Sequence, residues 1–587
     1  MYTVIDILKK TFQRSIIESF PDLASDGGVI DAEITRSTQS KFGHYQFNGA
    51  MKLTKQLRQN PRMIAEQIMN HVGVEIDGEK IIASMEIAGP GFINITLDSS
   101  FVSSRVKKAL NSSRLGLEKP EEIKKVVIDF CGANTAKEMH VGHLRSSIIG
   151  ETLCRLFEFL GHDVLRLSHI GDWGTQFGML ITYMKDEVPE VLKGEQAPDS
   201  TALVQWYREA KKRFDADPVF KERSQKEVVA LQGGELEAMK AWKHICAISH
   251  ESFQEIYDIL DVTVIERGES FYNSRLSGIV QDLEEKGLVT ISDGARCAFL
   301  DGFINREGEP LPMIIQKSDG GYNYSTTDMA AIRHRVEEEN ADRIIYVTDA
   351  GQATHFAMIF KLAEKAGYVN PEKTQVHHVP FGLVCGEDGK KFRTRSGDTE
   401  RLIDLLNEAI SRAQAIVDER NPDMPEEERV ELARCLGIGA VKYADLSSNR
   451  TSDYIFSYDR MLQFEGNTAA FLMYAYVRVV GIKRKLGLDE SELSLDSEIN
   501  LNHPSEIALG VHLLQFPEVL DKMAQELLPN RLTDYLYGLA DKFNAFFRDC
   551  RVEGTEEQNS RLLLCEAVAR TLKKGLEILG VKTVQRM

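Results

Sequence analysis

The sequence predicts an α/β protein in three parts: an α+β N-terminal segment, a parallel-sheet middle with helical insertions, and an all-α C-terminal bundle. Three observations carry this. Strand–helix–strand units occupy the middle of the chain, a highly charged helical stretch interrupts them, and past about residue 455 only helical periodicity remains. A chain of 587 residues also exceeds what one core supports, which suggests roughly three or four domains.

The opening "MYTVIDILKKTFQRSIIESF" has the spacing of an amphipathic helix and carries acidic residues, unlike an export signal. Residues 1–115 add the strand-like "EIAGPGFINITL" (86–97) and close in "NSSRLGLEKPEE", a linker-like run. In the middle, "KKVVIDF" (124–130) reads as a strand. The helix after it runs from about Gly142, with Leu144, Ile148, Leu153, Leu156 and Leu160 on its apolar stripe and Gly161 at its stop. "HDVLRLSHIG" (162–171) is the next strand, which completes the repeating unit of a parallel sheet. Residues 185–260 read as a helical insertion. The alternation resumes with "RIIYVTD" (343–349), a helix ending near Gly367, and "VHHVPF" (376–381). In the C-terminal part Leu532, Leu536, Leu539, Phe543 and Phe546 recur at four, three, four and three, and "LLLCEAVARTLKKGLEILG" closes at Gly580. The expected divisions are 1–115, 120–400, a connecting region 400–460, and 461–587.

Hydrophobic content of 43% and charged content of 27% are ordinary for a globular protein. No run approaches the ~20 apolar residues of a membrane span, so the expectation is a cytoplasmic protein. The eight cysteines, at 131, 154, 246, 297, 385, 435, 550 and 565, form no C-x-x-C pair, which argues against disulfides and structural zinc. A net charge of −18, from 71 basic and 89 acidic residues, disfavours broad electrostatic binding of nucleic acid. It leaves room for local basic tracks. Lys52, Lys55, Arg58 and Arg62 stand at helical spacing, and Arg478, Lys483, Arg484 and Lys485 form a second cluster. Each reads first as a solvated face. Phe47 and Tyr476 are candidates for stacking on bases, against the commoner role of packing in a core.

In "CGANTAKEMHVGHLRSS" (131–147), His140 and His143 fall at a strand-to-helix turn. A zinc site would need third and fourth ligands, and none lies nearby. Unpaired N–H groups and the helix dipole attract anions at such a turn, Gly142 lets a ligand approach the backbone, and two imidazoles can donate to a phosphate. The turn is neither G-x-G-x-x-G nor G-x-x-x-x-G-K-[ST], which disfavours dinucleotide and Walker-type binding. "GEDGKKFRTRSGD" (386–398) groups Lys390, Lys391, Arg393 and Arg395 among Gly386, Gly389 and Gly397. It reads either as a solvated basic loop or as a hinged loop that clamps a triphosphate. In "GGYNYSTTDMAAIRHR" (320–335), Tyr324 and Asp328 share a helix face. Ser325 and Asp328 also have capping-box spacing, which spacing alone favours. The rival reading is a carboxylate offered to a guanidinium as a bidentate partner.

His140-Val141-Gly142-His143 resembles the His-Ile-Gly-His signature of class I aminoacyl-tRNA synthetases, and residues 390–395 resemble a degenerate form of their Lys-Met-Ser-Lys-Ser loop. The likeness to arginyl-tRNA synthetases runs further. It takes in "VIDFCGANTAKEMHVGHLRSSIIGE", "LRLSHIGDWGTQFGML", "ERGESFY", "KSDGGYNYSTTDMAAI", "KKFRTRSGDT", "KYADLSSNRTSDYIFSYDRML" and the terminal "VQRM". It implies a Rossmann-like class I catalytic domain at 120–400, an N-terminal domain that touches the tRNA elbow and a C-terminal anticodon-binding domain. The implied reaction is ATP-dependent ligation of L-arginine to the 3′-terminal ribose of tRNA, with Mg2+ accompanying ATP. The sequence itself shows no metal-binding motif and no membrane span, and nothing in it requires more than a monomer. By that resemblance Asp129, Tyr324 and Asp328 hold the guanidinium, Asn134 and Gln352 the α-amino group, and Lys137 the carboxylate. His140, Gly142, His143, His355, Lys391, Arg393 and Arg395 lie on ATP, and His140, His143, Lys391 and Arg395 act in catalysis. The sequence departs from the family in two places. Cys131-Gly132-Ala133 stands where Ser-Ser-Pro is common, and Asp129 where many members have glutamate. A smaller-substrate nucleotidylyltransferase explains 124–171 but not the basic loop together with a helical bundle. A non-catalytic RNA-binding relative predicts the loss of one signature, and a synthetase for another amino acid conflicts with Tyr324 and Asp328.

Overall fold

The computed structural model describes residues 3–25, 31–76, 78–193, 200–392, 400–488 and 497–587. At its centre lie five parallel strands: β1 (Lys125–Asp129), β2 (Asp163–Ser168), β3 (Ile265–Glu266), β4 (Arg343–Asp349) and β5 (Gln375–Phe381). Their spatial order is β5-β4-β1-β2-β3, a doubly wound sheet. Helix α1 (Val141–Leu160) follows β1, α2 (Tyr324–Glu337) precedes β4, and α3 (Ala353–Lys365) joins β4 to β5. The sheet is covered on both faces, so its central strands are continuously apolar rather than alternating. Val126 and Ile128 enter one core with Ile345 and Val347, whereas Val127 enters the other with Ile344 and Tyr346. Gly150 permits the close seat of α1 on the sheet, since a Cβ there would lie 2.2 Å from the Phe130 ring.

The expected strands and helices of the middle are all present, with two differences there and one in the N-terminal part. The helical insertion comprises Thr175–Glu187, Pro189–Lys193, Ser200–Ala216, Pro218–Gln232 and Leu236–Leu260. It starts ten residues before the expected 185 and forms the crossover from β2 to β3. The antiparallel sheet of Thr290–Ser292, Ala295–Ile304 and Pro310–Gln316 has no counterpart in the sequence reading. In the N-terminal part, "EIAGPGFINITL" is a hairpin, Ile82–Ala88 paired with Phe92–Leu97, and not one strand.

That hairpin belongs to a four-stranded antiparallel sheet with Ile34–Arg36 and Tyr45–Phe47. The helix Val4–Ser19 covers it through Leu8, Phe12 and Ile16, and begins at a capping box of Thr3 and Asp6. The C-terminal helices include Ala469–Lys485, Pro504–Leu514, Phe516–Glu526, Asn530–Asp549 and Gln558–Ile578. All five expected stripe residues from Leu532 to Phe546 are 0% exposed. Leu402–Arg420 and Glu426–Leu446, in the expected connecting region, are helices too, and the second packs against Ala469–Lys485 and Asn530–Asp549. One apolar cluster runs from the N-terminal segment through one face of the parallel sheet into these helices. Among the described residues no helix is long and apolar enough to cross a membrane. All eight cysteines are free.

Both RNA-contact expectations are altered. Lys52, Lys55, Arg58 and Arg62 do not share one helix, because Arg58 adopts a left-handed φ of 52° and ends Ala50–Leu57, and Asn60 caps a new helix at Pro61. Lys483 forms a buried ion pair with Glu566 at 2.8 Å. Phe47 and Tyr476 are 0% and 3% exposed, so neither ring is offered to a base.

Candidate active site

A cavity of about 780 Å³ opens between the C-terminal ends of β1 and β4. In a doubly wound sheet this is where the strand order reverses and where ligands bind. Asp129, Asn134, His140, Gly142, His143, Tyr324, Asp328, Gln352, His355 and Lys391 all line it, although they come from separate segments between residues 129 and 391. Lys137 does not line it. Its ammonium lies over the Tyr207 ring of the insertion, 5.6 Å from the centroid. Arg393 and Arg395 lie outside the described residues.

The two signature histidines cap α1. His140 Nδ1 accepts from the Gly142 N–H at 3.0 Å, and His143 Nδ1 accepts from the His140 N–H at 3.0 Å. Both acceptor nitrogens are therefore unprotonated, which leaves Nε2–H as the donor in the neutral ring. Burial, reinforced by His140, pushes His143 down to about 3, and burial and the nearby Lys391 and Lys137 lower His140 as well. The pair is thus a set of uncharged hydrogen-bond donors at a helix N-terminus.

The unusual turn before them is firmly held. Cys131, Gly132 and Ala136 have φ of 73°, 34° and 64°, so two non-glycine residues occupy the left-handed region. Such strain persists only where the surroundings over-determine it. Here the Cys131 N–H donates to Ser146 Oγ at 3.0 Å, Cys131 Sγ meets Ser147 Oγ at 3.2 Å, and Ser146 Oγ donates to the Val347 carbonyl at 2.7 Å. Asn134 is fixed by pairing with Gly171, where a Cβ would lie 2.2 Å from Asn134 Oδ1.

The segment carrying Lys390 and Lys391 folds back on itself. The Gly386 N–H donates to the Lys390 carbonyl and the Phe392 N–H to that of Val384, at 2.8 and 2.9 Å. On the far side of the undescribed residues, Arg401 bridges His140, and the Leu402 N–H donates to the Met139 carbonyl at 2.9 Å. Both stems of the basic loop are therefore tied down beside the cavity, the second of them to the signature turn.

The opposite wall is acidic. Asp328 Oδ2 is 2.6 Å from His355 Nε2, and the Tyr324 ring packs edge-on against His355 at 4.9 Å. The capping reading fails: Asn323 caps α2, its side chain accepting from the Ser325 N–H at 3.1 Å, and Asp328 turns inward. His355, expected on ATP, is engaged with Asp328. Gln352 donates to Asp349 Oδ2 at 2.8 Å. Asp129 is already paired, accepting from Arg335 Nη2 at 2.7 Å and from the His169 N–H at 3.3 Å. Its expected guanidinium partner is thus supplied from within the chain. Sequence reasoning missed Arg335 and also Glu269, which lines the cavity from the turn Glu269–Tyr272. Burial, with Asp172 and Asp328 nearby, raises the Glu269 carboxyl to about 7. It lies in "ERGESFY", between Gly268 and Ser270, where no local pattern separates it from the neighbouring Glu266 and Arg267.

An anionic wall facing neutral donors at a helix N-terminus suits a ligand with a cationic end and a phosphate end. Comparisons with known proteins agree. Residues 105–458 match the class I (R) tRNA synthetase catalytic domain family, 472–587 the DALR anticodon binding domain, and 6–97 the arginyl tRNA synthetase N terminal domain. The chain is 62% identical over 587 residues to an arginine–tRNA ligase of Protochlamydia amoebophila, covering 100% of both chains. It is 50% identical over 589 residues to one from a Nostoc species, covering 99% of both. Among solved structures, an arginyl-tRNA synthetase of Plasmodium falciparum superposes with a TM-score of 0.87 at 34% identity, covering 100% of each chain. One from Thermus thermophilus shares the fold, with a TM-score of 0.77 at 23% identity over 99% of this chain and 100% of its own. From its parallel sheet to its terminal helices, the chain belongs to the arginyl-tRNA synthetase family of class I aminoacyl-tRNA synthetases.

Proposed function

We propose that this chain, an arginine–tRNA ligase, carries out both of its half-reactions in the cavity at the β1/β4 crevice, with the arginine side chain on the acidic wall and ATP across the N-terminus of α1. The observation that carries this reading is the convergence there of Asp328, Tyr324 and Glu269 opposite His140, Gly142 and His143. The Glu269 carboxyl, whose proton affinity is raised by burial and then by Asp172 and Asp328, and the Asp328 carboxylate near it together complement a cation. A guanidinium satisfies both at fixed geometry, which an ammonium does less well.

Asn134 and Gln352 face the α-amino group. Lys137 reaches the substrate carboxylate once it leaves the Tyr207 ring. That carboxylate attacks the α-phosphate and pyrophosphate departs. The Nε2–H donors of His140 and His143 meet the charge that develops on phosphate, and Lys391 with the adjoining Arg393 and Arg395 meets the leaving pyrophosphate. A ribose hydroxyl at the tRNA terminus then attacks the adenylate carbonyl and expels AMP. Acceleration comes from positioning and electrostatics, without a covalent enzyme intermediate. Mg2+ enters as part of the ATP substrate. Asp129 serves through Arg335 and not by touching substrate.

The N-terminal domain, 1–115, is assigned to the tRNA elbow and 461–587 to the anticodon. Tyr474 and Phe547, 46% and 40% exposed, flank the Arg478 guanidinium and replace the buried Tyr476 as stacking surfaces. The enzyme acts as a cytoplasmic monomer.

The test measures charging of tRNA with each amino acid in turn, followed by kinetics of Asp328→Ala. Arginine alone is expected to be charged. The variant is expected to raise the KM for arginine about 10-fold or more, as loss of a charged hydrogen bond implies, with the KM for ATP within about twofold. Equal changes in both would overturn the assignment of the acidic wall.

A further inference from the structure

The turn that opens α3 is held from the sheet. Asp349, the last residue of β4, caps it: Oδ1 accepts from the Gly351 N–H at 2.9 Å and Oδ2 from the Gln352 amide at 2.8 Å. The helix starts at Ala353, so His355 and Phe356 fall in its first turn. Phe356 is 5% exposed, packs on the Tyr346 ring at 4.8 Å and stacks on His378 at 4.9 Å, which fixes the backbone beside it. The His355 imidazole in turn meets the rings of Tyr324 and Phe356 edge to face, at 4.9 and 5.3 Å.

What the imidazole reaches is Asp328. Its Nε2–H donates to Asp328 Oδ2 at 2.6 Å, with both side chains less than one-fifth exposed, so the bond is made largely out of water. Asp328 Oδ1 has no hydrogen-bond partner among the described residues, and both residues line the reaction cavity. The last torsion of an aspartate is a broad, soft one. A donor fixed on one carboxylate oxygen therefore decides where the other oxygen points. Contact of the same Nε2 with ATP would require giving up a short, desolvated bond to a carboxylate, and bonds to charged acceptors are the strong ones.

We propose that His355 is a positioning residue for arginine and not a contact for ATP: by holding Asp328 Oδ2 it aims Oδ1 at the substrate guanidinium. The inference rests on the reading that Asp328 receives that guanidinium. A guanidinium carries its donors in a rigid plane, so it gains from an acceptor whose direction is fixed. His355 thus acts on arginine only through Asp328, and takes no part in bond making.

The test is steady-state charging of tRNA(Arg) by the full-length variants His355→Ala, His355→Gln, Asp328→Ala and the double variant His355→Ala, Asp328→Ala. His355→Ala is expected to raise the KM for arginine about fivefold, as loss of one hydrogen bond implies, with kcat and the KM for ATP within about twofold. His355→Gln, whose amide N–H can replace Nε2–H, is expected to recover most of that loss and guards against a folding defect. On top of Asp328→Ala, His355→Ala is expected to add less than about twofold, because the two side chains act as one unit. A raised KM for ATP, or effects that multiply in the double variant, would overturn the proposal. So would a KM for arginine that falls in His355→Ala, which would make the imidazole a competitor of the guanidinium, or a lowered melting temperature with the arginine KM unchanged. If Asp328→Ala alone alters both KM values equally, the underlying reading of the acidic wall fails instead.

Discussion

Glu269 shows how much one side chain contributes when its partner is a ligand. Burial and the carboxylates of Asp172 and Asp328 hold it near 7, so in the free enzyme its charge is incomplete at neutral pH. A bound guanidinium favours the ionised form, so arginine binding releases a proton, and protonation opposes binding by the same linkage. The KM for arginine is therefore expected to rise up to about tenfold per pH unit below about 7 and to level off above it, with the KM for ATP flat across the range. Glu269→Gln is expected to raise the arginine KM at pH 8 and to abolish this dependence; steady-state kinetics from pH 5.5 to 8.5 decide it. His143 contributes nothing to such a profile, because at about 3 it is neutral throughout. The likeness to arginyl-tRNA synthetases pointed to Asp328, whereas spacing alone favoured a capping role for it. Neither could single out Glu269, whose state depends on neighbours 97 and 59 positions away, at Asp172 and Asp328.

At the scale of elements, α2 and β1 are joined by a buried ion pair. Arg335, in the last turn of α2, is 1% exposed and meets Asp129, the last residue of β1. The helix that carries Tyr324 and Asp328 at its other end is thereby set in register with the sheet. Removing one partner of such a pair leaves an unpaired charge in a low-dielectric site, at a cost of about 3–5 kcal/mol. Arg335→Ala is expected to lower the melting temperature by several degrees. The double variant Asp129→Asn, Arg335→Met is expected to recover part of that loss, because replacing both charged groups by neutral ones leaves no unpaired charge buried. Thermal melts of the three proteins test this, and a double variant less stable than Arg335→Ala would sink the ion-pair account. The periodicities that announced α2 and β1 are local, and neither says which charge faces which across 206 residues.

Across the whole molecule, the N-terminal segment is fastened to the C-terminal helices at Glu518. Its side chain is 3% exposed and accepts from Arg36 Nε at 2.8 Å, the Tyr45 hydroxyl at 2.8 Å and the Ile5 N–H at 3.1 Å. The two regions proposed to hold the tRNA elbow and anticodon, which share one apolar cluster, are thus also tied through this carboxylate. Glu518→Ala orphans three donors, each costing about 1–3 kcal/mol if left unpaired. It is expected to raise the KM for tRNA several-fold while the KM values for arginine and ATP stay within about twofold. A change confined to arginine or ATP would contradict the division of labour between the ends and the middle of the chain. A related junction lies under the signature turn, where Arg145 meets Asp445 at 3.2 Å with both side chains buried.

What the sequence by itself determined is the list of parts. The apolar strands 125–129, 163–168, 343–349 and 375–381, the helices between them, the change to all-helical architecture and the two signature segments are written in runs of a few to twenty residues, where side-chain period and backbone geometry are coupled directly. Only the tertiary structure decided which charges are paired, and with what. Asp129, Lys483, His355 and Asp328 look alike in sequence as ionisable residues near motifs, yet Asp129 meets Arg335, Lys483 meets Glu566, and His355 meets Asp328. Asp129, His355 and Asp328 line the cavity as well, whereas Lys483 does not. Charge neutralisation and desolvation depend on distances of a few ångströms between segments far apart in the chain, and those distances exist only once the sheet has closed and its covering helices have docked.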